Sequence, residues 1–224
     1  MDTSQPRISA NELGNYVFSN PGEKRRILQN QKVKKPFIAA CYQSAHSAIL
    51  RCFHDGIFSE AVLAEELEAL KAKPTETKFQ ARVRPANITA LRRFMRICGK
   101  ATPPSGEHSI IRRNADFEFE GVKISVRPDI LTQNSKGKFF TYSKLRLSQH
   151  KYSSDASEIV LLLIQKFAEQ QDFEGLNFDV SRARLIDCFS QRVFEAHNVS
   201  PYKGKLLMKA LKEIHSLWPF ILSK

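Results

Sequence analysis

Two residues near the middle of the chain have a type and spacing that could do chemistry. Asp129 closes the alternating run FEFEGVKISVRPD, and Lys144 lies in FFTYSKLRLS, with the basic turn TQNSKGK between them. An acid at the end of one strand and a lysine on the next suit phosphodiester cleavage. That reaction uses a carboxylate to hold a divalent metal, which generates hydroxide at neutral pH. It also uses an ammonium to position the nucleophile or offset charge on the phosphate. A centre of this kind needs a second carboxylate. The strand that carries Lys144 holds no acid. Glu118 and Glu120 on the preceding strand are the acids that could supply one, although both also read as solvent-facing strand residues. Asp129 has a plain reading as well, as the polar end of a Pro-Asp turn.

The elements that must position these residues follow from periodicity. Val122, Ile124 and Val126 alternate with Lys123, Ser125 and Arg127, and Phe117 and Phe119 alternate with Glu118 and Glu120. Gly121 marks the turn between these two half-buried strands. A helix starting at residues 153–155, ASEIVLLLIQKFAEQQ, is apolar on most sides, and VSRARLIDCFSQRVFEA reads as two strands around Ser190-Gln191. Ser200-Pro201 opens a last helix with Leu206, Leu207, Leu211, Ile214 and Trp218 as its stripe. The half before the loop TPPSGEHS at 102–109 reads as helical, after a frayed segment 1–7. Ser9 with Glu12 fits a capping box for a helix from Ala10, and Asn20-Pro21-Gly22 opens the basic helix EKRRILQNQK. Ala45, Ala48, Ile49 and Cys52 form a helical stripe that Gly56 closes, and Ser59 caps the acidic helix EAVLAEELEALKAK. Lys78, Arg82 and Arg84 read as an extended lead-in to a helix capped by Asn87. The fold class expected is therefore mixed α/β of the α+β kind, with a helical region over residues 1–105 and a mixed-sheet core over 106–224.

Composition bounds the partners. The formal charge is +12, with 42% apolar residues and 16 Phe, so the chain should fold and should favour a polyanion. Between Thr77 and Gly106 there is no acid against seven basic residues. Arg92, Arg93 and Arg96 fall on one side of a helix, where they could track phosphates or simply face water. Arg82, Arg84, Arg92, Arg93, Arg96, Lys136, Lys138 and Arg146 are the expected nucleic-acid contacts, with DNA ahead of RNA. A basic protein-interaction module with no nucleic-acid role is the alternative. Cys41, Cys52, Cys98 and Cys188 form no CxxC pair and read as reduced core residues. The N-terminus has no signal-peptide core and no apolar run approaches a membrane span, so a cytoplasmic protein is expected.

VRPDIL at 126–131 and FTYSKLRLS at 140–148, in that order and strand context, resemble the PD-(D/E)XK nuclease superfamily. The opening ISANELGNYVFSNP is similar to the start of its RecB-type and CRISPR-associated exonucleases. The resemblance implies a restriction-endonuclease-like core. In it Asp129 is the metal-binding aspartate, Lys144 the motif lysine, and His46 the counterpart of an upstream histidine ligand. Mg²⁺ or Mn²⁺ would be the cofactor of an active member. Tyr142 stands where that family has its second acid, and the Gln and Tyr of its following helix have no clear counterpart. The resemblance therefore implies a catalytically degenerate member that binds nucleic acid or a protein partner in prokaryotic or phage DNA processing or defence. The alternative is an active nuclease with a migrated carboxylate.

Overall fold

A computed structural model describes residues 5–32, 39–54, 60–102, 106–111, 116–134, 136–149, 152–171, 177–196 and 199–221. Gly56, Ser59 and residues 103–105 of the proposed boundary loop lie outside these. The fold is α+β, with two mixed sheets and helices on both sides of the larger one. Among the described residues no helix is long and apolar enough to cross a membrane.

The first strand, β1 (Arg7–Ser9), begins at the last residue of the segment 1–7 expected to fray. It is held by parallel pairing with β4 (Val122–Ser125), which also forms a hairpin with β3 (Asp116–Phe119). The turn of that hairpin has Glu120 and Gly121 at φ 50° and 70°, the pair of positive values that matches the twist of two antiparallel strands. Ser9 then caps α1 (Ala10–Phe18) by accepting from the Glu12 N–H, but the other half of the expected capping box is replaced: the Ser9 N–H donates to Gln31 Oε1 at 3.2 Å. After α2 (Pro21–Lys32), a 3-10 turn leads into α3 (Gln43–His54), followed by α4 (Glu60–Ala72).

α5 (Lys78–Met95) corrects the expectation of an extended lead-in. Thr77 and Gln80 form a reciprocal capping box that starts the helix well before Asn87 and carries it through Pro85. Asn87 sits inside α5 and is buried. Its Nδ2 donates to the Cys41 and Val83 carbonyls and its Oδ1 accepts the Ala45 N–H in the first turn of α3. Asn87 does cap a helix, but across space and not its own.

A short α6 (Cys98–Ala101) precedes the main sheet. That sheet runs β2 (Glu107–Ile110), β5 (Ile130–Gln133), β6 (Phe139–Arg146), β8 (Arg184–Asp187), β9 (Arg192–Glu195), with β7 (Asn177–Phe178) pairing the start of β6. β5 and β6 are antiparallel, with Ile130 opposite Ser143, and β6 and β8 are parallel across α7 (Ser154–Glu169). The stretch expected to be one strand ending at Asp129 is thus two strands in two sheets, separated at Val126–Asp129. Pro128 cannot donate to a ladder, so pairing stops there. Asp129 consequently stands at the start of β5. α8 (Pro201–Leu217), capped by Ser200, closes the described chain with a 3-10 turn at Trp218–Phe220.

One face of the main sheet, with Ile130, Leu145 and Ile186, is covered by α3, α4 and α5. The other, with Phe140, Tyr142 and Leu185, is covered by α1, α7 and α8 together with the small sheet. Residues in β1, α1 and α2 thus pack on the strand-rich part of the chain. α1 lies tightly on α7 at Gly14, where a Cβ would strike the Tyr152 hydroxyl and come within 2.7 Å of the Ala156 carbonyl.

Candidate functional site around Asp129

Asp129 is fixed by the backbone before its side chain is considered. Its N–H donates to the Ser143 carbonyl at 2.9 Å and its carbonyl accepts from Ile111 at 2.9 Å. That anchoring follows a turn in which Arg127 takes φ 46°, a conformation uncommon for a residue with a side chain. The carboxylate then meets two donors. His46 Nε2, from the first half of α3, lies 2.7 Å from Oδ1, and the Leu145 N–H donates to Oδ2 at 2.6 Å. His46 is half-buried. The sequence singled it out only by analogy; tertiary packing brings it to the aspartate from 83 positions away.

Lys144 lies across the sheet from Asp129, but its ammonium donates to the Arg127 carbonyl at 2.8 Å. Only 8% of it is exposed. Burial lowers its pKa below the usual lysine range, the Asp129 charge pulls the other way, and Arg127 adds to the lowering. In this position the ammonium ties down the strained turn that carries Asp129.

Tyr142 projects from the same face of β6 as Lys144, two residues away. Its ring packs against Phe140, Phe167 and Phe178 at centroid distances of 5.6, 5.7 and 5.9 Å. Burial pushes its phenol up to about 12. A carboxylate at 142 would enter this aromatic cluster at a heavy desolvation cost. Glu118, on β3 of the small sheet, accepts from Gln5 at 3.0 Å, and Glu120 is exposed at the hairpin turn. Neither joins Asp129. Among the described residues no three His, Cys, Asp or Glu side chains group as metal ligands. The donor set therefore does not fit Mg²⁺, which prefers several carboxylate oxygens. One carboxylate, with one hydrogen bond on each oxygen, and one imidazole converge here.

The expected phosphate contacts divide into three groups. Arg146 is a correction: it is 4% exposed, donates to Asp187 Oδ2 at 3.0 Å and stacks 4.2 Å from the Tyr152 ring centroid. Its partner Asp187 is fully buried, and its Oδ1 accepts from the Phe189 and Ser190 N–H groups. Arg93 is half-buried and donates to the Phe189 carbonyl at 2.8 Å with its guanidinium over that ring. Arg82 and Arg92 stand exposed on α5 and Arg96 at its C-cap, and Arg84 lines a shallow groove of about 500 Å³ with Lys71, Ile88 and Arg92. Lys136 and Lys138 are exposed in the β5–β6 turn, where Asn134 Oδ1 accepts the Lys138 and Phe139 N–H groups.

Asp187 was missed because an acid at a strand end reads as a turn former, and a turn is what its Oδ1 makes. Its pairing with Arg146 depends on the register of β6 and β8, which no local signal encodes. No protein-family model matches the chain, and no curated protein is significantly similar to it.

Proposed function

We propose that the protein binds nucleic acid without cutting it, through the exposed arginines of α5 and the lysine turn between β5 and β6. In this reading the centre at Asp129 is a PD-(D/E)XK-like site that has lost its metal. The observation that carries the proposal is the commitment of both Asp129 oxygens to protein donors, beside a Tyr142 packed among aromatic rings. With Lys144 on the Arg127 carbonyl, the residues that would do chemistry serve to hold a turn. The net charge of +12 and the exposed Arg82, Arg92 and Arg96 support a polyanionic partner. DNA processing or defence against phage suits such a role.

The convergence of His46 on Asp129 favours one other reading, a cutting enzyme that recruits its remaining ligands with the substrate. One set of experiments separates the two. Salt-titrated anisotropy with labelled single-stranded DNA, duplex DNA and RNA should show binding that weakens steeply with salt. Changing Arg82, Arg92 and Arg96 together to Gln should reduce the salt slope by about two to three, at roughly 0.7 to 0.9 per phosphate contact. Asp129→Asn should leave affinity unchanged. Cleavage with Mg²⁺ or Mn²⁺ that Asp129→Asn and Lys144→Met each abolish would replace this proposal with the enzyme. Absence of binding at low salt to all three nucleic acids would leave a protein-interaction role.

A further inference from the structure

We infer that the outward face of α8 is a second phosphate-contacting surface, separate from the α5 arginines. This rests on the nucleic-acid reading above and extends it to a face that reading does not use. Lys205, Lys209 and Lys212 are all exposed on α8. Their spacing of four and three residues places them in one stripe, about 10 Å long at 1.5 Å per residue. One strand of duplex carries a phosphate about every 3.4 Å along the axis, so the stripe spans about three.

Charge on α8 is divided between its two sides. Lys203 is buried and pairs with Asp155 and Glu158, and Glu213, the acid of this helix, pairs with Lys24 of α2 at 2.7 Å. The helix thus spends its carboxylate on the packed side. Among the described residues no acid pairs with Lys205, Lys209 or Lys212 in a salt bridge. Like charges at these spacings repel along a helix, so the stripe costs the free protein stability that a polyanion would return.

Two further features suit an approaching backbone. Gly204, one turn into α8, has nothing within 4 Å of where a Cβ would stand, so packing does not require a glycine there. It disfavours the helix but leaves backbone open beside Lys205. Pro201, Gly204 and Met208 lie beside the three lysines on this open outward face. Tyr202, 61% exposed in the first turn, and Phe220, 79% exposed after the last, offer rings on which bases can stack. α8 belongs to the buried cluster on the face of the main sheet opposite that covered by α5, so the two basic surfaces are independent.

The test compares four full-length proteins by salt-titrated anisotropy with the same DNA and RNA. They are the native chain, Lys205→Gln/Lys209→Gln/Lys212→Gln, the matching triple Lys→Arg variant, and the α5 triple variant. The Gln variant should bind roughly tenfold to a hundredfold more weakly and lose about two to three from the salt slope. The Arg variant should bind like the native chain, and thermal midpoints should not fall. Unchanged binding by the Gln variant, with weakened binding by the α5 variant, overturns the α8 surface and leaves the earlier reading standing. No binding by the native chain removes both. Unchanged nucleic-acid binding with lost adsorption to vesicles containing phosphatidylserine would assign the stripe to a membrane surface and likewise overturn the inference.

Discussion

Lys144 keeps an ammonium, 8% exposed, donating to the Arg127 carbonyl. Because burial depresses its pKa in the fold, the gain from a neutral amine is fully present only above the ordinary lysine value of about 10.4. It is lost as pH falls through the lower folded value, so at neutral pH the charged side chain works against folding. Lys144→Met should accordingly leave stability to urea unchanged or raise it by about 1–3 kcal/mol, as buried ions replaced by apolar residues often do. A loss of that size would show that the tie to Arg127 outweighs the desolvation. Asp187 behaves in the opposite way. Asp187→Ala strands Arg146 without its counter-charge, and unfolding free energy should drop by about 3–5 kcal/mol. Replacing both partners with Arg146→Met/Asp187→Leu should recover much of that, which an additive pair of single losses would contradict.

At the scale of elements, two contacts between distant segments carry the architecture around the site. α1 approaches α7 only because residue 14 has no side chain. Gly14→Ala would push against the Tyr152 hydroxyl, which donates to the Asn11 carbonyl at 2.9 Å, and against the Ala156 carbonyl. The expected loss is about 1–3 kcal/mol, read as a fall of roughly 2–4 °C in Tm per kcal/mol for a chain of this length. Asn87 joins α5 to α3 close to His46. Asn87→Ala leaves the Ala45 N–H without its side-chain acceptor and should cost about 1–3 kcal/mol. Unchanged exchange protection at Ala45 in that variant would show that α3 does not depend on the cap.

For the whole molecule, burial of phenols sets an alkaline limit. Tyr16, Tyr142 and Tyr152 all have pKa values raised chiefly by burial, Tyr142 to about 12. A raised acid contributes stability that is complete below its unfolded value near 10 and is lost as pH climbs through the folded one. Tyrosinate absorbance and circular dichroism followed together should show these phenols ionising only as structure is lost, from about pH 10 upward. Ionisation of all five tyrosines near pH 10 with the fold intact would contradict their burial.

Local rules were legible in the sequence wherever one element decides by itself. Helices start after Ser9, Ser153 and Ser200 as the sequence suggests, each serine side chain accepting a backbone N–H of the first turn, and strands occur at Phe117, Val122, Lys144, Leu185 and Phe194. Alternation of period two and side-chain capping need no distant partner. The extended reading of Arg82 and Arg84 failed because the Thr77 capping box and the Asn87 bridge to α3 outweigh the penalty of Pro85. Residue types also drew attention to Asp129 and Lys144, and the resemblance to PD-(D/E)XK nucleases to Tyr142. Only the tertiary structure decided what their side chains meet. His46 arrives on a helix 83 residues away, Lys144 turns to a strained carbonyl, Tyr142 sinks into aromatic rings, and Arg146 is neutralised by Asp187. Each of these depends on the register and stacking of segments far apart in the chain, where desolvation and pairing are determined by neighbours that no local pattern specifies.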